Sequence, residues 1–232
     1  MKIRIKFAKY GTMKFIGHLD MMRFFQKAIR RADIDIKYSE GFSPHQIMSF
    51  AAPLGLGLES YGEYMDIEVR SMTSTEDMKR ALGQVMVEGV EVLSVTVLPE
   101  QVRNAMASVA AASYSIKMKE GSFPITGLER KLQDFYSQDT IPYIKEAKKS
   151  TVELDLRQGI YELHSDADGA IYMLVNASSS GNIKPAMVLE KFFEFAGVEI
   201  PVTAYQVTRL ETYTEFTTEG EKRRLIPLAE VG

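Results

Sequence analysis

Two histidines and a set of cations fall close together in this sequence: His18-Leu19-Asp20, then Arg23, Lys27, Arg30 and Arg31, then His45. An imidazole beside a carboxylate can have its tautomer set for acid–base work, and a second imidazole can share the proton transfer. The spacing weakens that idea. Side chains two apart on a helix do not face each other, and Asp20 suits the positive end of a helix dipole instead. His18 and His45 are weak catalytic candidates, and with Asp20 they lack the close spacing of a metal site. The cations form a better pattern. Arg23, Lys27, Arg30 and Arg31 recur every three or four residues, a helix stripe that can hold phosphate groups. The same stripe could equally be a solvated face paired with Asp33 or Asp35. Tyr38-Ser39, Gly41-Phe42 and the pair Gly55 and Gly57 add turns beside it. The Gly55–Gly57 loop lacks the Lys-Ser/Thr ending of a phosphate-binding loop and leads into a strand. The expected ligand site is therefore His18, Asp20, Arg23, Lys27, Arg30, Arg31, Tyr38, Ser39, Gly41, Phe42, His45, Gly55 and Gly57.

The elements that must position these residues can be read from periodicity. Ile3, Ile5 and Phe7 alternate with Lys2, Arg4 and Lys6 as a half-buried strand. Residues 17–32 fit a helix with Leu19, Met22, Phe25, Ile29 and Ala32 inward. Residues 46–52 and 64–70 read as strands. Ser74 and Asp77 form a capping box before a helix through Met86 that Gly89 ends. Val90–Leu98 closes a βαββαβ order, and Ala-rich residues 100–111 form a connection.

The order then repeats: a strand at 112–118 and a helix introduced by Thr126 and Glu129. A strand through Val152, Leu154 and Leu156 continues past Gly159 to Leu163, with 141–149 as a possible extra strand. The Asp168-Gly169 turn leads to a strand at 171–175, a Pro185 helix ended by Gly197 follows, and 205–213 is the last strand. The fold class expected is α+β, two tandem ferredoxin-like (βαββαβ) domains over 1–99 and 112–216, with Lys222-Arg223-Arg224 in a loose tail.

Lys2, Arg4 and Lys6 share a sheet face that could contact RNA. In this strand order Asp66 and Glu68 lie across from them, so the face is expected to neutralise itself. Arg157 and His164 read as surface residues, and Phe192, Phe193 and Phe195 as core.

Composition narrows the classes further. The chain of 232 residues has no cysteine, which excludes disulfides, Cys-ligated zinc or iron–sulfur clusters and a Cys nucleophile in this sequence. Net charge is −3, but residues 1–60 carry +5 and the rest −8, so an anionic partner would meet the first part. No apolar run approaches the ~18 residues of a membrane span, and a cytoplasmic protein is expected.

The stretch from Phe15 to Glu63 resembles the bacterial radical-SAM-linked proteins, a family with the DUF2344 domain. The resemblance is carried by the run from Arg4 through Lys14-Phe15, His18-Leu19-Asp20, Arg23, Arg30-Arg31-Ala32, Tyr38-Ser39, Gly41-Phe42, Pro44, Ser49-Phe50-Ala51, Pro53-Leu54, Gly57, Ser60 and Glu63-Tyr64 with Asp66. The family commonly has Ser where Gly17 stands and Lys near Gln46, so no hydroxyl or lysine role carries over there. The resemblance implies a module that works with a radical S-adenosylmethionine enzyme near RNA processing. Without cysteine this sequence holds no such cluster, so the enzyme would be a separate partner. The function expected is an accessory module binding RNA or another phosphate-bearing ligand, with no cofactor in this chain and no catalysis of its own. Two alternatives stand: a small enzyme using His18 and His45, for example in metal-free RNA cleavage, and a binder of a phosphorylated or cobalamin-type small molecule.

Overall fold

β1 (Lys2–Lys9) is the centre from which the first part of the chain is built. In the computed structural model, which describes residues 1–120, 125–147, 150–217 and 224–231, it is followed by α1 (His18–Arg31), β2 (Met48–Phe50) and β3 (Glu59–Glu68). α2 (Thr75–Gly83), β4 (Val90–Leu98) and the short α3 (Ala105–Ser108) come next. The strands lie in the order β4-β1-β3-β2, each pair antiparallel. Period-two alternation sends Ile3, Ile5 and Phe7 to one face, where Met65 and Ile67 of β3 and Val69 just past its end join them. α1 covers that face with Met21, Phe25 and Ile29, and α2 with Met78 and Leu82.

The remaining elements are β5 (Ala111–Met118), α4 (Leu128–Tyr136), β6 (Pro142–Ala147), β7 (Ser150–Asp155), β8 (Ile160–Ser165) and β9 (Ile171–Asn176). α5 (Pro185–Ala196), β10 (Tyr205–Phe216) and β11 (Arg224–Pro227) complete the chain. The chain divides into two compact units, Met1–Ala110 with Glu211–Gly232, and Ala111–Leu210. The division at 110/111 falls within the connection expected at 100–111, while the residues after 210, expected in the second domain to 216, belong with the first unit. In the second unit the strand order is β10-β5-β9-β8, and β6 and β7 form a separate hairpin. The protein is α+β, and no described helix is long and apolar enough to cross a membrane.

Several elements differ from expectation for physical reasons. α1 buries Met21, Phe25, Ala28 and Ile29, the i, i+4, i+7, i+8 arc, and leaves Leu19 61% exposed. α2 is capped as expected, with Ser74 Oγ accepting from Asp77 N at 3.0 Å, but ends at Gly83. Val85 and Met86 are carried by turns, and Gly89 lies in the turn into β4, where a Cβ would meet Tyr10 O at 2.6 Å. α4 has Gly127 at its N-cap in place of a Thr126 box. The apolar run 152–163 is two strands, because residues 157–159 form a 3-10 turn; the extra strand considered at 141–149 is β6. Phe192 and Phe193 are buried while Phe195 is exposed. In the tail, Lys222 and Arg223 lie outside the described residues, and Arg224 begins β11, paired to β10.

Candidate functional site

With its apolar arc inward, α1 turns Arg23, Lys27, Arg30 and Arg31 outward, and all four are exposed. Arg23 Nη1 reaches Asp20 Oδ1 at 3.0 Å, an exposed pair that water screens heavily. Among the described residues Lys27, Arg30 and Arg31 form no ion pair. Arg30 and Arg31 sit in the last turn, where cations complement the helix dipole.

The segment after α1 doubles back as a narrow hairpin. Isolated bridges join Ile36 to Val69 and Tyr38 to Gln46, and Ser39 N donates to His45 O at 2.8 Å. Ser39 Oγ accepts from His45 N at 3.1 Å and contacts His45 Nδ1 at 2.9 Å, so the imidazole is tied into the turn. Gly41 takes φ +108°, and Phe42 beside it is fully exposed at the tip. The base of the hairpin is fixed to α1 at one atom. Gln26 O accepts from Gln46 Nε2 and from Arg30 Nε, each at 3.3 Å. Cationic helix face and aromatic-tipped hairpin are therefore adjacent. Gln46 Oε1 is buried without a partner among the described residues.

Not all the expected residues join this arrangement. Gly57, at φ +81°, donates its N–H to Lys14 O at 3.0 Å, which ties the 55–58 loop to the 3-10 turn at Gly11–Phe15. His18 lies at the start of α1, edge-on to Phe50 with ring centroids 5.2 Å apart. Eight residues separate it from Gln26, about 12 Å along the helix axis. His18, Gly55 and Gly57 thus belong to one end of α1, and Lys27, Arg30, Arg31, Tyr38, Ser39, Gly41, Phe42 and His45 to the other. Among the described residues no three His, Asp or Glu side chains converge as a metal site.

Around His18 the structure adds two residues that were passed over. Lys9 is 2% exposed and Glu63 5%, and both line a cavity of about 10 Å³ with Phe7, His18, Met21 and Phe50. That is room for about one water. Lys9 Nζ donates to Ile16 O at 2.6 Å. Burial pushes its ammonium below the ordinary lysine range, and the Glu63 charge acts in the opposite direction. The signal was available in the strand period: Lys9 shares the inward parity of Ile3, Ile5 and Phe7, and Glu63 that of Met65 and Ile67.

The opposite sheet face, weighed above as an RNA contact, carries the expected Arg4–Asp66 neutralisation and is covered around that pair. Arg4 is 1% exposed and holds Asp66 with Nε at 2.8 Å and Nη2 at 3.0 Å. Arg4 Nη1 also donates to Leu228 O at 3.1 Å, and Asp66 Oδ2 accepts from Ala105 N at 2.6 Å. The β1–β3 register pairs Arg4 with Asp66 and Lys2 with Glu68, while Lys6 turns to Glu211. In the second unit, the exposed His164 stacks on Tyr172 and the half-buried Arg157 lies over the Tyr136 ring.

A family model described as "Uncharacterized protein conserved in bacteria (DUF2344)" matches residues 2–185. None of the curated proteins matches the sequence. Among solved structures, a chain in the crystal structure of a Cbf5-Nop10-Gar1 complex is similar with a TM-score of 0.46 and 9% identity, over 90% of this chain and 48% of that one. This chain therefore spans about half the length of that one, and a likeness this slight says nothing of function.

Proposed function

We propose, for a chain that belongs to the DUF2344 family, that it is a binding module whose ligand is single-stranded RNA, held between the outer face of α1 and the 38–46 hairpin. The observation that carries this reading is the shared acceptor Gln26 O, which fixes the hairpin base beside Arg30. Lys27, Arg30 and Arg31 would take phosphates, and Phe42 would offer a face for a base to stack on. A fully exposed phenylalanine at the tip of a hairpin whose base is fixed beside the cations fits a strand of bases and phosphates better than a purely ionic ligand. The strand orders β4-β1-β3-β2 and β10-β5-β9-β8 support the finer reading of the two units as ferredoxin-like. The separate radical S-adenosylmethionine enzyme implied by the resemblance remains the proposed partner, and the cytoplasm the proposed location.

The test is binding of single-stranded RNA across a range of salt. Wild type should show a log–log salt slope, and Arg30→Ala with Arg31→Ala should reduce it by about 1.4, two lost phosphate contacts at roughly 0.7 each. Phe42→Ala should weaken binding by about 1–3 kcal/mol with little change of slope. RNA binding that is absent, or indifferent to salt, would end this reading. A second reading, acid–base chemistry at His18, is favoured by Lys9 and Glu63 at the same cavity. RNA incubated with wild type and with His18→Ala would then give different products.

A further inference from the structure

β7 ends on Asp155, the 3-10 turn follows at 157–159, and the loop from β9 to α5 comes back beside both. Together they line a cavity of about 390 Å³, wholly within the second unit. Ile183 N donates to Asn176 O at 2.8 Å and closes the loop on itself. Two glycines permit the close approach. A Cβ on Gly159 would run into Ile183 Cδ1, and one on Gly181 would stand 2.8 Å from Asn176 Nδ2.

Two polar groups in its wall are held in one orientation, and each keeps one function unused. Asn176 Oδ1 accepts from Ser178 N at 2.9 Å and from Ser178 Oγ at 2.7 Å, which fixes the amide. Its Nδ2 then has no acceptor among the described residues. Asp155 Oδ1 accepts from Ile141 N at 2.8 Å and from Arg157 N at 3.0 Å, while its Oδ2 has no donor among the described residues. One free group can only donate and the other can only accept. Gln158, Ser179 and Asn182 stand exposed at the mouth, with side chains that can do either. Leu154, Leu156 and Ile183 give the cavity its apolar surface, and Asp155 is the one charge among the described lining residues.

We infer that this cavity binds a sugar through neighbouring hydroxyl groups. A hydroxyl both gives and takes a hydrogen bond, so a diol can donate to Asp155 Oδ2 and accept from Asn176 Nδ2. Other ligand classes satisfy only half of that wall. A phosphate or carboxylate would accept from Asn176 but meet the like charge of Asp155. An ammonium would pair with Asp155 and leave the Asn176 donor unmatched. A flat base finds no ring to stack on, because none of the described lining residues is aromatic, whereas the aliphatic surface suits the C–H face of a sugar ring. The volume lies within the roughly 300–1,000 Å³ of small-ligand sites. This site is independent of the cationic face of α1, and neither reading depends on the other.

A free sugar and the ribose of a nucleoside present the same hydroxyls, so ligand-observed NMR on the full chain should compare D-ribose, D-glucose and adenosine. At least one should bind saturably; adenosine alone would identify a nucleoside as the source, and ribose or glucose a free sugar. 2′,3′-Dideoxyadenosine, which lacks the diol, should not bind. Asn176→Asp keeps an oxygen for Ser178 N but turns the free donor into an acceptor. Asp155→Asn keeps an oxygen for Ile141 N and Arg157 N but turns the free acceptor into a donor. Each should weaken binding about tenfold or more. Should either variant fail to fold, Ser179→Trp at the exposed mouth decides the matter, since it should block the cavity and abolish binding. No saturable binding of any of the three sugars, equal binding of adenosine and its dideoxy analogue, or wild-type affinity in a folded variant would each overturn the proposal.

Discussion

β1 and β3 carry two opposite-charge pairs, one on each face of the sheet, and the two are built on different principles. On the covered face, Arg4 and Asp66 bond to each other twice and are satisfied further by Leu228 O and Ala105 N. On the helix face, Lys9 and Glu63 sit among phenylalanines, and Lys9 has Ile16 O as its close partner. Burial of an ion pair is tolerated when geometry and extra hydrogen bonds repay desolvation. The first pair meets that condition and fastens residues 103–105 and 228 to the sheet. The second meets it only in part, so desolvation leaves its mark on the lysine. One pair is a lock; the other is a poised group.

The largest expected effect breaks the lock. Asp66→Ala leaves Arg4 buried without its carboxylate and Ala105 N without its acceptor, and should destabilise the fold by about 3–5 kcal/mol in denaturant unfolding. Replacing both partners, Arg4→Met with Asp66→Leu, should not restore stability, because Ala105 N still lacks its acceptor and Leu228 O then loses its donor as well. A smaller effect is expected on the other face. Lys9→Met alone should cost about 1–3 kcal/mol through the orphaned Ile16 O and the loss of the lysine's charge beside Glu63. Adding Glu63→Leu should recover part of that loss. Equal behaviour of the two double variants would erase the distinction between the pairs.

The same strands show what can be read from sequence. The alternation of β1, the cations of α1, the Ser74 cap, the Pro185 start and the Gly197 end are local properties, and local chemistry decides them. Asp66 was legible opposite Arg4 because the strand order sets the register. Their burial was not, since the cover comes from residues 103–105 and from Leu228, far along the chain. β7 and β8 could not be told apart by period alone, because an apolar alternation interrupted at Gly159 is the same pattern with or without a turn. The cationic half of the candidate site was legible from helix spacing. Its link to the hairpin was not, because that link is a backbone carbonyl at Gln26 and leaves no mark in residue type.

The smallest expected effect separates the two faces by pH. Burial lowers the pKa of Lys9 from 10.5, so as pH approaches 10.5 from below the folded chain releases a proton that the unfolded chain keeps. The unfolded state then binds more protons, and this contribution makes stability rise with pH through that window. Tyr64, on the covered face, acts in reverse. Burial first, and then the Glu211 carboxylate that accepts from its hydroxyl at 2.7 Å, push its pKa up from 10.0. Above pH 10 the unfolded chain loses a proton that the folded chain keeps, so stability falls. Lys9→Met should flatten the rise below 10.5 and leave the fall. Tyr64→Phe should make the fall shallower without removing it, since Tyr143 and Tyr205 are pushed up by burial as well. Denaturant midpoints measured across this range in the two variants would show whether the faces titrate apart. A Lys9→Met profile that keeps the wild-type rise would mean that the lysine is not poised at all.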